Sequence, residues 1–180
     1  MKKITQVELA RALQQHKLWL DSNCINGRHV VLKNTDLRDS NLHGANLRNA
    51  DLHNADLEGV SLRAADLQDT DLFHANLQQA DLHGADLCNA DLTGAELQNT
   101  NIRYADLTGA NLYHANLTGA DLCGANLRLA DLRLTRFSNN IRDCLSFHSA
   151  KFTPDALPWL ILHPKWSELK GTVQIEPVSK

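Results

Sequence analysis

No part of this chain stays apolar for long. Its longest such stretch, LPWLIL at residues 157–162, falls far short of the roughly 20 residues that a bilayer-spanning helix requires. The opening MKKITQVELA has two lysines with no apolar segment behind them, so the sequence predicts a soluble, cytoplasmic protein without membrane attachment. Its four cysteines, Cys24, Cys88, Cys123 and Cys144, include no CxxC spacing, so reduced thiols are expected rather than a disulfide or zinc framework. A net charge of -3 lacks the basic excess by which proteins hold nucleic acid. The ordinary hydrophobic periods are missing too. Leucine recurs every five residues, and five is a multiple of neither the 3.6-residue helical period nor the 2-residue strand period.

What is present is an internal repeat. From residue 32 to residue 132 every fifth position is leucine except Ile102, 20 leucines in 21 positions. Two places before the leucine, from Thr35 to Ala130, stand 15 Ala, three Thr, Ser40 and Val60. Residues two apart share one side of an extended segment, so the small residue and the leucine point inward together and the residue between them points out. That middle residue is Asp 11 times and Asn 7 times in 20 repeats. The second residue after the leucine is Gly seven times and Asn four times, types that accept tight-turn dihedrals, so the chain bends there. Short extended pieces joined by regular bends wind into a coil whose turns hydrogen-bond to one another about 4.8 Å apart. The fold class is an all-β solenoid.

The repeat A(D/N)Lxx, as in ANLTGADLCGANLRLADL, resembles the pentapeptide-repeat family over residues 30–137. The resemblance implies four repeats per coil, a right-handed quadrilateral β-helix of 20 residues per coil, and no cofactor.

Both ends depart from the repeat, as a solenoid requires to cover its terminal strand edges. Thr5 with Glu8 forms a capping box, Ile4 and Leu9 stand at the positions of a hydrophobic staple, and a helix is expected from about Gln6 to Leu20. Its Leu9, Leu13 and Leu20, with Trp19 beside them, suit an N-terminal α-helical cap over the first coil. After Leu132 the beat falters at Arg142 and returns at Phe147 and Phe152, which predicts an irregular last coil from about residue 138 around an insertion near NNIRDC. Thr153 and Pro154 can open a short C-terminal helical module. The expected organisation is thus a cap at 1–29, a β-helix at 30–152 and a C-terminal helix and tail at 153–180. LPWLIL and Trp166 are expected to be buried against the last coil or in a homodimer made by the C-terminal module.

With 20 residues per coil, positions 20 apart stack in columns. One outward column holds His53, Phe73 and Tyr113, interrupted by Thr93, with His74 and His114 beside it. Only His53 and His74 lie in adjacent coils, without a third ligand of evident placement, so no metal is predicted. A second column reads His43, Arg63, His83, Arg103, a basic stripe if the histidines are charged. Acidic columns adjoin: Asp51, Asp71, Asp91 on one side and Asp66, Asp86, Asp106 on another. Such carboxylates, about 5 Å apart, repel by only about 1 kcal/mol in water, which the fold tolerates. No catalysis is expected, because leucine and alanine fill the interior and nothing builds a concave pocket around a nucleophile and base. The expected function is a non-enzymatic protein-interaction scaffold for another protein, with no direct binding of nucleic acid or membrane.

The alternative reading comes from the resemblance: some pentapeptide-repeat proteins imitate duplex DNA and inhibit or protect DNA gyrase. Residues 30–137 hold 15 acidic residues, about one per 1.6 Å over about five coils, close to the charge density of DNA. Eight Lys or Arg in the same stretch, among them Arg38, Arg48, Arg63 and Arg103 on outward columns, reduce the net to -7 and the density to about half that of DNA. Mimicry is therefore expected to be poor.

Overall fold

The computed structural model describes residues 1–138, 147–154, 167 and 170–176. Its body is a coil in which each residue before a repeat leucine pairs in parallel with the residue 20 positions on, from Val31 with Asp51 to Asn116 with Arg136. Four five-residue repeats therefore close one coil, and the section is four-sided. Each side contributes a single bridging residue rather than a long strand, so strand content is small although the pairing is regular.

The five-residue motif follows from an accounting of backbone N–H groups, since a buried one without a partner is costly. In repeat 71–75, Asp71 N–H donates to Ala50 O of the preceding coil (3.0 Å), and Leu72 N–H donates to Asp91 O of the following one (2.8 Å). His74 N–H also reaches the following coil, at Thr93 O (2.9 Å), and Ala75 N–H closes a turn onto Leu72 O (2.9 Å). Only Phe73 N–H has no backbone partner; it donates to Oδ1 of Asp71 (3.0 Å). An Asp or Asn before the leucine thus completes the set, and a side-chain oxygen is all that the place demands. The turn needs a positive φ at its third residue, as type II turns do. Ala64, His74, Gln79, Tyr104 and Leu129 take it, with φ from 50° to 61°, alongside the expected Gly and Asn.

The repeat leucines and the alanines two places before them line the interior, with relative exposures of 0–2% for all but the partly buried Ala45. Where threonine replaces alanine beyond the first coil, its buried hydroxyl donates to a leucine carbonyl one coil back: Thr70 to Leu47 O (2.8 Å), Thr100 to Leu77 O (2.7 Å) and Thr135 to Leu112 O (2.8 Å). Thr35 instead donates to Lys33 O (3.2 Å).

At the N-terminus, β1 (Lys2–Lys3) pairs in parallel with β2 (Thr35–Asp36) on the first coil. Helix α1 runs Gln6–Asp21, and both halves of the Thr5–Glu8 capping box are present. Leu9 is buried in the same core cluster as the coil leucines, with Ile4, Ala12 and Leu13 packed against it. His16, on the same stripe but not among the residues expected there, is fully buried.

At the other end the beat returns at Phe147 and Phe152, as its spacing predicts. Phe147 and Phe152 stand 20 residues after Leu127 and Leu132, Asp131 pairs with Lys151, and both phenylalanines are fully buried. Large aromatic rings here fill the positions that leucines hold in the preceding coil. NNIRDC, LPWLIL, Trp166 and the expected C-terminal helix lie outside the described residues. Part of the tail expected to be non-repetitive continues the ladder: β3 (Lys151–Phe152) pairs in parallel with β4 (Gln174–Ile175).

Candidate interaction faces

The coil holds the residue after each leucine at the start of a turn, so the outward columns are fixed by backbone geometry rather than by side-chain packing. On the side centred on Leu72, His53 stacks on Phe73 (4.9 Å between ring centroids, 6° between planes), and His74 meets the edge of the same ring at 4.3 Å. Tyr113 lies two coils on, tilted against His114 at 6.4 Å, with the Arg133 guanidinium 5.8 Å from its ring. Phe73 therefore separates the two histidines that the sequence placed in adjacent coils. Among the described residues no group of three metal-ligating side chains comes together.

The column His43, Arg63, His83, Arg103 exists as read, on the side centred on Leu82. Its arginines, however, do not present free charge. Arg63 reaches Asp81 at 3.1 Å and Arg103 reaches Asp121 at 3.0 Å, each one coil on. That contact holds the Arg103 guanidinium pKa above its ordinary value. Asp121 is held below its own, first because its carboxylate accepts the Cys123 N–H, then because of Arg103. Such exposed pairs add little stability, but they cancel the stripe's net charge. Tyr104 leans beside this column, edge-on to His83 at 5.5 Å and 5.7 Å from the Arg103 guanidinium.

Asp66, Asp86 and Asp106 form the acidic column on the side centred on Leu87, and each spends one oxygen on its own turn. They accept the N–H groups of Gln68 (3.1 Å), Cys88 (3.0 Å) and Thr108 (2.9 Å). Asn126 of the next coil donates to Asp106 at 3.1 Å. The column Asp51, Asp71, Asp91 does the same work for His53, Phe73 and Thr93. Cys88 sits between Asp86 and Asp106; burial first, then those carboxylates, push its thiol pKa up to about 12. Among the described residues no ion pair involves Asp66, Asp86 or Asp106, whereas Arg38 bridges Asp36 (2.8 Å) and Asp56 (3.2 Å) on the side centred on Leu77. Arg38, Arg63 and Arg103 are thus neutralised locally, while on the Leu87 side the three carboxylates stand between Arg48, 3.9 Å from Asp69, and Arg128.

A cleft of about 360 Å³ lies between α1 and the first coil, lined by Ile4, Arg11, Arg28, His29 and Val31 among others. No helix among the described residues is long and apolar enough to cross a membrane.

The chain is similar in sequence or in fold to several proteins of known structure. Rfr23, a pentapeptide repeat protein from the cyanobacterium Cyanothece 51142, is 35% identical over 56% of this chain, with a TM-score of 0.43. The match takes in 65% of Rfr23, just under two thirds of its length. A pentapeptide repeat protein from the Arabidopsis thaliana thylakoid lumen is 32% identical over 56% of this chain and 70% of its own, with a TM-score of 0.54. A trypsin-treated form of QnrB1, a plasmid-mediated fluoroquinolone resistance protein, aligns over 81% of this chain and 70% of its own at 17% identity and a TM-score of 0.59, a likeness of fold alone. Among curated proteins no significant match was found. The family description "Pentapeptide repeats" matches residues 28–63, 65–103 and 101–139 in eight copies, more than half of the sequence. The chain belongs to the pentapeptide-repeat family, whose members form right-handed quadrilateral β-helices.

Proposed function

We propose that this protein is a non-enzymatic interaction scaffold whose outward columns dock another protein, in the cytoplasm and without direct contact to nucleic acid or membrane. The observation that carries this reading is the division of labour within each repeat. Leucine and alanine close the interior, Asp or Asn completes the backbone, and only the two residues after the leucine remain free to vary. Those positions form a rigid grid about 4.8 Å in pitch, a surface fitted for recognition rather than for enclosing a substrate. A photo-crosslinking amino acid placed in turn at Phe73, Gln78, His83 and Cys88 samples the four sides of one coil. In native cells, one protein captured from one side or two adjoining sides is expected; capture spread evenly over all four would count against a specific docking face.

A second reading, a DNA-mimic modulator of gyrase, is favoured by one observation: the Leu87 side keeps Asp66, Asp86 and Asp106 outside any described ion pair. The fold it shares with QnrB1 is compatible with it. The pairs made by Arg38, Arg63 and Arg103 on the other sides interrupt any continuous negative surface, so mimicry ranks second. A cap formed by α1 within residues 1–29, and a C-terminal module at 153–180 that covers the last coil or pairs with a second copy, complete the proposed organisation.

A further inference from the structure

His16 lies at the seam between α1 and the first coil, fully buried, with both ring nitrogens engaged. Val30 N–H donates to its Nδ1 (3.2 Å), and its Nε2 lies 3.0 Å from Arg48 O. A nitrogen that accepts a hydrogen bond carries no proton, so Nδ1 is bare, Nε2–H is the donor, and the ring is neutral. Both partners are backbone groups that the regular coil serves elsewhere, one from the preceding coil and one from its own turn. One coil on, the carbonyl equivalent to that of Arg48, Gln68 O, accepts the Asn49 N–H (2.9 Å), and the N–H equivalent to that of Val30, at Ala50, closes a turn onto Leu47 O (2.9 Å). One imidazole thus substitutes for one bond from a missing coil and one bond of a missing turn.

The surroundings give no help to a charged ring. Trp19 stacks on it at 5.6 Å, and His29 meets it edge-on at 5.6 Å while its own Nε2 contacts Asn49 O. From the coil, Arg48 offers its carbonyl and turns its guanidinium towards Asp69 (3.9 Å); on α1, Lys17 is engaged with Asp21 (2.8 Å). Among the described residues no carboxylate acts on the imidazole. Burial holds the His16 pKa below its ordinary 6.5, the Arg48 carbonyl opposing this and His29 adding to it.

We propose that α1 is an acid-released cap, docked on the first coil while His16 carries one proton and set free when the ring takes a second, which uncovers the end of the core that Leu9 closes. This inference is independent of which partner the columns bind. The second proton must go to Nδ1, where it abolishes the bond from Val30 and leaves a charge in a buried site without a counter-ion. Since the docked form disfavours that proton, docking is fully stable above about pH 6.5. It is lost as the pH falls, weakening about tenfold per unit until the docked-state pKa is passed.

Hydrogen exchange of the full chain at pH 7.5 and 5.0, corrected for intrinsic rates, tests this. Peptides within residues 6–21 should lose protection at pH 5.0 while the central repeats keep theirs. His16→Gln cannot take a second proton, so its exchange in residues 6–21 should be the same at both pH values, whether the helix is docked or free. His29→Gln should retain the wild-type response, and NMR titration of the His16 ring should give a pKa below 6.5. An α1 equally protected at both pH values, a His16→Gln protein that loosens like the wild type, loss of the response in His29→Gln, or a His16 pKa at or above 6.5 would each overturn the proposal.

Discussion

The imidazole of His74 lies over the bare α-carbon of Gly94 in the next coil, so close that a Cβ there would come within 2.5 Å of Cε1. Gly84 has the same φ of +64° with nothing within 4 Å of its Cβ position. Gly84→Ala should therefore cost only the left-handed backbone penalty, about 1–2 kcal/mol. Gly94→Ala should cost up to about 1 kcal/mol more, because His74 must swing off the edge of Phe73. Thermal denaturation reads both, and in a His74→Ala background the excess should vanish. Equal costs in the original background would show that the His74 contact stabilises nothing.

Asp86 completes the backbone of its repeat through one oxygen, and an amide has that oxygen too. Asp86→Asn should leave stability nearly unchanged, whereas Asp86→Ala orphans the Cys88 N–H at a cost of about 1–3 kcal/mol. Chemical denaturation of the two variants separates a structural role for this carboxyl group from a purely electrostatic one. If the Ala variant matched the Asn variant, the role in the turn would be dispensable.

Leu87 is fully buried, in the middle of the coil stack. Leu87→Asp should abolish folding, since an unpaired carboxylate among leucines costs several kcal/mol against a total stability of about 5–15 kcal/mol. A variant with unchanged circular dichroism and melting would mean that the inward register is wrong.

With its pKa at about 12, Cys88 should be almost wholly protonated at pH 8, with about one thiolate in 10⁴. Cys24 is exposed. Under a limiting alkylating agent at pH 8, mass mapping should find Cys24 modified well before Cys88. Comparable rates would show that the Asp86 and Asp106 carboxylates do not shield the thiol.

The second functional reading has a direct assay, supercoiling by purified gyrase with and without a fluoroquinolone. The expected result is neither inhibition nor protection at micromolar protein. Inhibition or protection that weakened with salt and disappeared in Asp66→Asn, Asp86→Asn, Asp106→Asn, substitutions that keep the turn bonds, would move mimicry ahead of scaffolding.

Much of this architecture was legible in the sequence because it is periodic. The inward leucines, the bend, the columns and the Thr5–Glu8 capping box depend on spacing alone. Contacts that run diagonally across the grid were not legible. Arg63 to Asp81, Arg103 to Asp121 and Gln68 to Asp86 all join residues 18 apart, a separation that is neither a column nor a neighbour. Reading the grid along that diagonal would have shown the basic stripe to be paired. The Asp residues were read as charge, when each is first an acceptor for its own turn. His16 fell outside the cap's expected face because imidazole is not counted as apolar, although 9, 13, 16 and 20 make one helical stripe.

The parallel pairing of each residue with the one 20 positions on also bears on how such a chain can change length. Losing or gaining 20 residues removes or adds one storey of about 4.8 Å and leaves every surviving bond in register. Losing or gaining five keeps the inward pattern of leucines but turns everything beyond the change through a quarter revolution, so that the C-terminal strand pair faces a different side from α1. Duplication within such a gene can therefore lengthen the rod or re-aim its two ends independently, and the residues after each leucine can diverge without disturbing either.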